Sequence, residues 1–335
     1  MMELNAEVRM QNAECRMISV ALCTFNGEEF LPEQLRSLQN QSRLPDELVV
    51  CDDGSKDRTV EMLKSFSRSA PFPVKIYQNE NQMGPAGNFA QAIALCEGRI
   101  ISFCDQDDIW ESEKLQKTLQ VFDRNPQTAF VFSDAEVCDD DCEPLGYRLW
   151  TSVGFLGPLR EQFDSGNGAD VLLRQNVVTG ATLSFAARFR PLILPIPGGW
   201  FHDGWIALLL SAVGRGQAIA EPLIRYRQHA NQSVGATRRS LYQQYLNAKV
   251  MDRNVFAEQA NQYEAALARL QEQTDFDVPM EVIRRLQEKI QHCRIRSKIR
   301  LGQSARVLPA LGELLSSRYS RYSLGWKSFA QDLFL

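Results

Sequence analysis

The run Ile100-Ile101-Ser102-Phe103-Cys104-Asp105-Gln106-Asp107-Asp108-Ile109-Trp110 sets an apolar pentapeptide directly against a cluster of carboxylates. A short apolar run of this kind reads as a strand buried on both faces, and it ends where the acids begin. The same grammar occurs twice upstream. Met17 to Cys23 is apolar and closes on Thr24-Phe25-Asn26-Gly27, and Leu48 to Cys51 is apolar and closes on Asp52-Asp53-Gly54-Ser55. Val74 to Gln78 reads as a further strand. Between these runs, Phe30 to Gln39, Asp57 to Ser67 and Gly87 to Glu97 have helical spacing, the first with Pro32 in its opening turn. Strands alternating with helices in this way predict a doubly wound, mostly parallel α/β sheet. Ligands of such sheets sit beyond the carboxyl ends of the strands. The clusters Thr24–Glu28, Asp52–Ser55 and Asp105–Asp108 should therefore converge on one site.

After Gln116 the pattern loosens. Ala129 to Ser133 reads as a strand, 139–170 as loop-rich, and Val177 to Phe185 as a strand interrupted by a glycine. Gly204 to Ala212 reads as a helix that opens just after His202-Asp203. From Ser240 onward the spacing is helical, through Leu241, Tyr245, Ala248 and Met251 and then Phe256, Ala260 and Tyr263. Pro279 divides this region into two helical pieces.

With 335 residues, 44% hydrophobic and 23% charged, the composition excludes a disordered, collagenous or disulfide-scaffold chain. The best apolar run, Trp205 to Val213, falls far short of the roughly 20 residues a spanning helix needs, which excludes a polytopic membrane protein. Met1 to Arg16 is polar with no apolar stretch of signal-peptide length, so a cytoplasmic location with reduced thiols is expected. Cys138 and Cys142 have no second close pair to complete a zinc site and read as small buried hydrophobes. Charge is uneven: from Lys289 to Leu335 there are nine Lys or Arg against Glu313 and Asp332, within a chain of net charge −4. A basic, aromatic-containing tail on an acidic body points to an anionic membrane surface at the cytoplasmic face, or else to a bundle packed on the body. No nucleic acid partner is expected, because no groove-reading motif accompanies the charge.

Three carboxylates at one strand end repel one another unless a cation or protons intervene. A hard divalent cation such as Mg²⁺ or Mn²⁺ takes one or two carboxylates plus substrate phosphates and water, and Asp-x-Asp suits that demand. A solvated acidic loop is the alternative. Asp52 and Asp53 have the chemistry to accept from a ribose hydroxyl or a base imide, or else to cap the turn into the next helix. The sequence has no G-x-G-x-x-G after the first strand, no P-loop, no G-x-S-x-G and no H-E-x-x-H. Phosphate here is then neutralised by metal rather than cradled by a glycine loop.

Taken in order, Ile18–Gly27, Val50–Asp57, Asn81-Gln82-Met83-Gly84 with Asn88-Phe89, and Asp105–Trp110 resemble the family 2 glycosyltransferases of the GT-A fold. The Asp-Gln-Asp-Asp-Ile-Trp form, with His202-Asp203-Gly204-Trp205 and Tyr226-Arg227-Gln228-His229, is most similar to the rhamnosyltransferase-like branch. The resemblance covers about residues 17–232. It implies a GT-A catalytic domain over 17–235, with a nucleotide-binding half (17–110) and an acceptor half (111–235). An N-terminal extension (1–16) precedes it and a helical region (236–335) follows. It implies an inverting transferase that moves a sugar, with rhamnose the leaning, from dTDP-rhamnose or a UDP-sugar to a glycan or lipid-linked acceptor.

In that reading Thr24, Asn26 and Glu28 line the nucleotide pocket. Asp53, with Asp52, meets base or ribose, and Gly84 and Asn88 flank the nucleotide. Asp105 approaches the ribose, Asp107 the metal, and Asp108 supports it. Inverting transfer needs a base for the acceptor hydroxyl and positive charge for the leaving diphosphate. Asp203 is the expected base, and an N-cap is its other reading. His229 is read as a metal ligand or diphosphate contact, or as a packing histidine. Arg227 is read as a diphosphate ligand or an ion-paired arginine. His202 and Trp205 are read as sugar contacts, with Trp200 and Trp205 equally suited to a core. Two other functions fit less well. A sugar-nucleotide nucleotidyltransferase would want a basic loop after the first strand. A non-catalytic sugar-nucleotide-binding protein would have no use for Asp105, Asp107 and Asp203 together.

Overall fold

All seven residues of the first strand, β1 (Ile18–Thr24), are buried, because its alternating side chains feed both faces of the sheet. Val20 and Leu22 join one core with Leu31, Leu35 and Leu63, while Ala21 and Cys23 join another with Phe89, Ile93 and Trp205. A strand apolar on both faces belongs at the centre of a covered sheet, and β1 lies there. The structure is a computed structural model and describes residues 17–229, 254–302 and 306–334. The extension 1–16 and the helical reading at Leu241, Tyr245, Ala248 and Met251 lie outside the described residues.

Strand β1 pairs in parallel with β2 (Glu47–Asp52) and β4 (Ile100–Asp105), and β2 pairs in parallel with β3 (Val74–Gln78). Helices α1 (Leu31–Gln39), α2 (Thr59–Ser67) and α3 (Gly84–Leu95) connect these strands. The other strands are β5 (Ile109–Trp110), β6 (Thr128–Cys138), β7 (Pro144–Arg148), β8 (Leu183–Ala186) and β9 (Arg215–Arg227). The sheet runs β3-β2-β1-β4-β8-β6-β9-β5, with β7 paired to β6. Its β6–β9 pair is again parallel, while β8 is antiparallel to both neighbours. Helices α1, α2 and α4 (Lys114–Arg124) cover one face, and α3 and α5 (His202–Val213) cover the other. This is the doubly wound arrangement that the sequence implies. Register then aligns the strand ends: Thr24 sits opposite Asp52, and Cys23 opposite Asp105. The acidic clusters share one edge for that reason.

The middle of the chain differs from the expectation. The stretch 139–170 holds β7 and short helices at Leu149–Ser152 and Pro158–Asp164 rather than plain loop. Val177 to Phe185 is not one strand; a 3₁₀ turn at Gly180–Thr182 precedes β8. Strand β9 has little apolar signal, being interrupted by Gly216, Glu221 and Pro222. The ladder shifts at the proline, where Ser133 faces Ile219 and Asp134 faces Pro222.

Pro279 caps the second of two long helices, α6 (Val255–Glu272) and α7 (Met280–Arg300). Their Ala266, Leu270, Ile283, Leu286 and Ile290 lie in the same core as Trp205 and Leu209. Short helices α8 (Val307–Leu315), α9 (Arg318–Tyr322) and α10 (Trp326–Phe334) close on the end of α7 around Ile299, Ala310, Tyr319 and Phe329. The tail's charge is largely met inside the molecule. Arg296 forms two hydrogen bonds with Asp332, at 2.6 and 3.0 Å, and Arg294, Arg318 and Arg321 pair with Glu264, Glu313 and Glu288. Lys289 is buried and donates to the Tyr322 carbonyl. Counting residues overstated the basic surface, since like charges along the sequence take acidic partners in space. Among the described residues no helix is long and apolar enough to cross a membrane.

Candidate active site

The first two loops at the shared edge are tied into one network. Thr24 Oγ1 donates to Asp52 Oδ2 at 2.9 Å, and Asp52 also accepts from the Ser55 amide at 2.9 Å and the Ser55 hydroxyl at 2.5 Å. Asn26 adopts a left-handed backbone (φ 46), which asparagine tolerates, and its Oδ1 accepts from the Lys56 amide at 2.8 Å. Glu28 Oε2 accepts from the Arg58 amide and Nε at 3.1 and 3.2 Å. Asp53 accepts from Asn79 Nδ2, the Met83 amide and the Gly84 amide at 2.8–2.9 Å. Gly84 (φ 72) opens α3, and Asn88 below it donates to the Cys51 carbonyl at 2.8 Å. Thr24, Asn26, Glu28, Asp52, Asp53, Gly84 and Asn88 are thus brought together. Asp52 acts as the turn cap foreseen as its alternative, while Asp53 shapes the loop that carries Gly84.

The third loop is different. Burial first, then the charges of Asp107 and Asp203, push the Asp105 carboxyl up to about 8. Asp108 is 1% exposed; burial and then the charges of Asp107 and Asp105 hold it well above the usual carboxylate range. Its Oδ1 accepts from the Arg227 amide at 3.1 Å, and its Oδ2 is buried with no partner. Gln106, whose role was not foreseen, clamps this loop to the first one: it accepts from the Phe25 amide at 2.8 Å and donates to the Phe25 carbonyl at 3.0 Å.

Asp203 reaches the same place from the other half of the sheet. It lies in the first turn of α5, where negative charge is favoured, and accepts from the Gly204 amide at 2.5 Å and the Gly180 amide at 3.2 Å. Burial nevertheless pushes its carboxyl up to about 6. The residue before the helix, Phe201, caps it without a side-chain hydrogen bond, so Asp203 is not the N-cap.

Two sugar contacts expected from sequence are corrected. Trp205 is 1% exposed and donates from Nε1 to the Ile193 carbonyl at 2.7 Å, which makes it a core residue. His202 is buried, stacked on Phe89 at 4.1 Å, and burial pulls its pKa down to about 3. A Cβ on Gly180 would stand 2.5 Å from His202 Nε2, so His202 packs beneath the turn that contacts Asp203 and holds it in place. The aromatic side chain left exposed beside Asp203 is Phe201, at 60%, and its single position gives no periodic signal in the sequence.

Arg227 is corrected likewise. It is 2% exposed, with Nε donating to the Asp107 carbonyl at 2.8 Å and the terminal nitrogens donating to the Asp140 carbonyl and to Glu33. Its guanidinium stacks on Phe30 at 4.6 Å. It braces the acidic loop from within, the ion-paired alternative, and presents no open fork to a diphosphate. His229 does reach the cluster: Nε2 lies 2.9 Å from Asp107 Oδ2, and this hydrogen bond raises its pKa.

Among the described residues no three His, Cys, Asp or Glu side chains group tightly enough to hold a metal by themselves. Asp107 and His229, 2.9 Å apart, are the side chains here whose chemistry fits a cation shared with a diphosphate. Burial and mutual repulsion make the ionised forms of Asp105 and Asp108 costly, and one Asp108 oxygen has no partner, so a cation at this loop would offset that cost.

Residues 19–169 match the family model described as glycosyl transferase family 2. The UDP-Glc:alpha-D-GlcNAc-diphosphoundecaprenol beta-1,3-glucosyltransferase WfgD of Escherichia coli is 30% identical over 125 residues, which cover 37% of this chain and 48% of that one. The dTDP-rhamnosyl transferase RfbG of Shigella flexneri is 34% identical over 102 residues, covering 29% of this chain and 35% of that one. Each of these two matches spans less than half of the relative. Among solved structures, Staphylococcus aureus TarS 1–349 in complex with UDP-GlcNAc superposes with a TM-score of 0.54 at 16% identity. That match covers 95% of this chain and 90% of that one, a likeness of fold.

Proposed function

Given that this chain is a family 2 glycosyltransferase on a GT-A fold, we propose that it moves a sugar from a pyrimidine nucleoside diphosphate donor to an acceptor hydroxyl with inversion. The donor is dTDP-rhamnose or a UDP-sugar, the two kinds carried in the names of the sequence relatives. The acceptor is a glycan or a lipid-linked glycan.

The observation that carries this reading is the meeting of two carboxyl systems at one sheet edge, the Asp105–Asp108 loop and Asp203. The charge of Asp203 helps to raise the Asp105 carboxyl, so the two lie within electrostatic reach of each other. Asp203 accepts the acceptor proton while that oxygen's electron pair forms the new bond to C1. The C1–phosphate oxygen bond breaks on the opposite face, and the nucleoside diphosphate departs with its electrons. One displacement inverts the centre. Asp203 is suited to this work because its raised pKa makes it a better proton acceptor than an exposed aspartate, while it is still ionised near neutrality. A divalent cation, held by Asp107 and His229 with Asp108 behind them, would supply the positive charge that the leaving diphosphate needs. Asp53 and Asn88 order the β2 and α3 loops beside the nucleotide, and Thr24, Asn26 and Glu28 order the β1 loop.

A panel of UDP- and dTDP-sugars with Mn²⁺ or a chelator tests the reading, with nucleoside diphosphate release and product anomer followed by NMR. Chelator-sensitive release with inverted product is the expected result. A retained anomer, or full turnover in chelator, overturns the mechanism. Release of pyrophosphate instead would favour nucleotidyl transfer.

We further propose that α8 and α10 rest on an anionic bilayer. Val307, Leu308, Leu311 and Leu315 are exposed at spacings that give α8 an apolar stripe, and Trp326 and Phe334 are exposed at the two ends of α10. Lys298, Arg306 and Lys327 are exposed in the same region. Since most of the tail's charge is paired internally, the contact is chiefly apolar. Flotation with phosphatidylglycerol vesicles should survive raised salt and be lost in Leu308→Asp/Leu315→Asp. Failure of the unmodified protein to float removes the membrane from the reading.

A further inference from the structure

We propose that Cys138 and Cys142 are an oxidisable dithiol, closed by peroxide into an intrachain disulfide that loosens the Asp107–Asp108 loop. The two sulfurs lie 3.4 Å apart, the Cys138 thiol donating to Cys142. A disulfide needs about 2.05 Å, so closure asks for little more than an ångström of movement. They face each other across the hairpin turn from β6 to β7, which is held by the Asp139 amide on the Glu143 carbonyl and the Cys142 amide on the Asp139 carbonyl, both at 3.0 Å. Cys142 has a left-handed backbone (φ 62) in that turn.

The pair differs from the other thiols in access and acidity. Cys138 is fully buried and Cys142 is partly exposed, so an oxidant meets Cys142 first. The hydrogen bond from Cys138, then the charges of Arg227 and Arg225, lower the Cys142 thiol, which favours thiolate there. Cys23, Cys51, Cys96, Cys104 and Cys293 are buried, and burial pushes each of them up. Among the described residues oxidation should therefore be selective.

The chemistry balances without another reactant. The Cys142 thiolate attacks the peroxide O–O bond, giving a sulfenic acid and hydroxide, and hydroxide takes a proton to become water. The Cys138 sulfur then displaces the sulfenic oxygen, which leaves as a second water carrying the Cys138 proton. Two thiols and one hydrogen peroxide become one disulfide and two waters. A dithiol reductant reverses the change.

The turn is wired to the candidate site. Inside it, the Asp140 carbonyl accepts from Arg227, whose Nε donates to the Asp107 carbonyl at 2.8 Å and whose amide donates to Asp108 at 3.1 Å. The Gln228 amide donates to the Cys138 carbonyl at 2.9 Å, next to His229 on Asp107. Drawing Cys142 onto Cys138 reshapes the Asp140 peptide and takes an acceptor from Arg227.

The test uses the full chain, reduced or treated with hydrogen peroxide. Peptide mapping should show a Cys138–Cys142 link, and hydrogen exchange should show lost protection over 105–110, a readout independent of any activity. Nucleoside diphosphate release should fall at least about 5-fold, the low end of typical couplings, and return with dithiothreitol. This last readout rests on the proposed transferase function, whereas the first two do not. Cys142→Ser should keep its protection and turnover in peroxide, and Cys138→Ala should stop at the sulfenic acid. A link that leaves 105–110 equally protected overturns the coupling. Sulfinic acid at Cys142 with no link, or peroxide sensitivity in both variants equal to that of the unmodified protein, overturns the site.

Discussion

Two strands of the same sheet run into clusters of aspartates, and the molecule treats them in opposite ways. At the end of β2, Asp52 and Asp53 accept from Thr24, Ser55, Asn79, Met83 and Gly84, so every carboxylate oxygen has a donor at hand. At the end of β4, Asp105 and Asp108 carry raised pKa values and one Asp108 oxygen has no partner. The first pair is complete within the protein. The second has Arg227 and His229 beside it and still leaves one Asp108 oxygen without a donor. Two acidic strand ends thus divide into a scaffold and a proposed receptor, and donor supply separates them.

The largest effect that would break this contrast comes from the receptor side. Asp107→Ala should abolish Mn²⁺-dependent nucleoside diphosphate binding and turnover, because it removes the carboxylate shared with His229. The variant's melting temperature should be unchanged or higher, since a repelling charge has gone. Calorimetric titration with UDP and dTDP, each with and without Mn²⁺, checks it. An unchanged metal requirement would make the β4 loop merely acidic.

Next in size is Asp203→Asn, which should lower kcat by at least about 10²-fold with little change in donor affinity, as befits loss of a general base. The pH profile carries the sign. The working form is the carboxylate, and burial raises its pKa to about 6. In the unmodified enzyme kcat should therefore fall as pH drops through about 6, not through the usual value near 4. Asp134 and Glu221, other acids in this half, are already engaged. Asp134 accepts from the Ala135 and Trp150 amides, and Glu221 pairs with Lys117. A flat profile down to pH 5 would move the base away from Asp203.

On the scaffold side, Asp53→Ala should act through stability. It strands the Met83 and Gly84 amides and leaves Asn79 Nδ2 with Asn88 Oδ1 alone, at a cost of about 1–3 kcal/mol in urea unfolding. The same substitution at Asp107 should cost nothing. Equal destabilisation at the two strand ends would erase the distinction.

How much of this was legible follows from what a linear pattern encodes. Strands β1, β2 and β4 show themselves because each is apolar on both faces and ends abruptly in polar residues, and parallel pairing then fixes where those ends meet. The convergence of Thr24, Asp52 and Asp105 was readable for that reason. Strand β9 was not, because Gly216, Glu221 and Pro222 break its apolar signal while its ladder to β6 absorbs the shift. Residue type also suggested more than it could deliver at Trp205, His202 and Arg227. An aromatic, an imidazole and a guanidinium suit a ligand and a core equally, and only burial separates the two. Phe201, Gln106 and Gly180 act through position alone, which no single-sequence signal reports.

The smallest expected effect probes how scaffold and receptor are joined. Gln106 holds the β4 loop to the β1 loop through both backbone groups of Phe25, and Gly27 lies close enough that a Cβ there would stand 2.2 Å from Gln106 Oε1. Gly27→Ala alone should displace the amide and cost about 1–2 kcal/mol, with a few-fold weaker donor binding. Gln106→Ala alone should lose the two hydrogen bonds at a similar cost. The double variant should be no worse than either single one, because the three atoms nearest a Cβ at 27 all belong to the Gln106 amide and the clamp is already gone. Residues in contact show such non-additivity of about 0.5–3 kcal/mol, whereas independent sites add within a few tenths. A double-mutant cycle in urea unfolding and donor affinity reads it. Simple additivity would mean that the two loops reach the site independently, and that the completed β2 cluster does nothing to hold the incomplete β4 cluster in place.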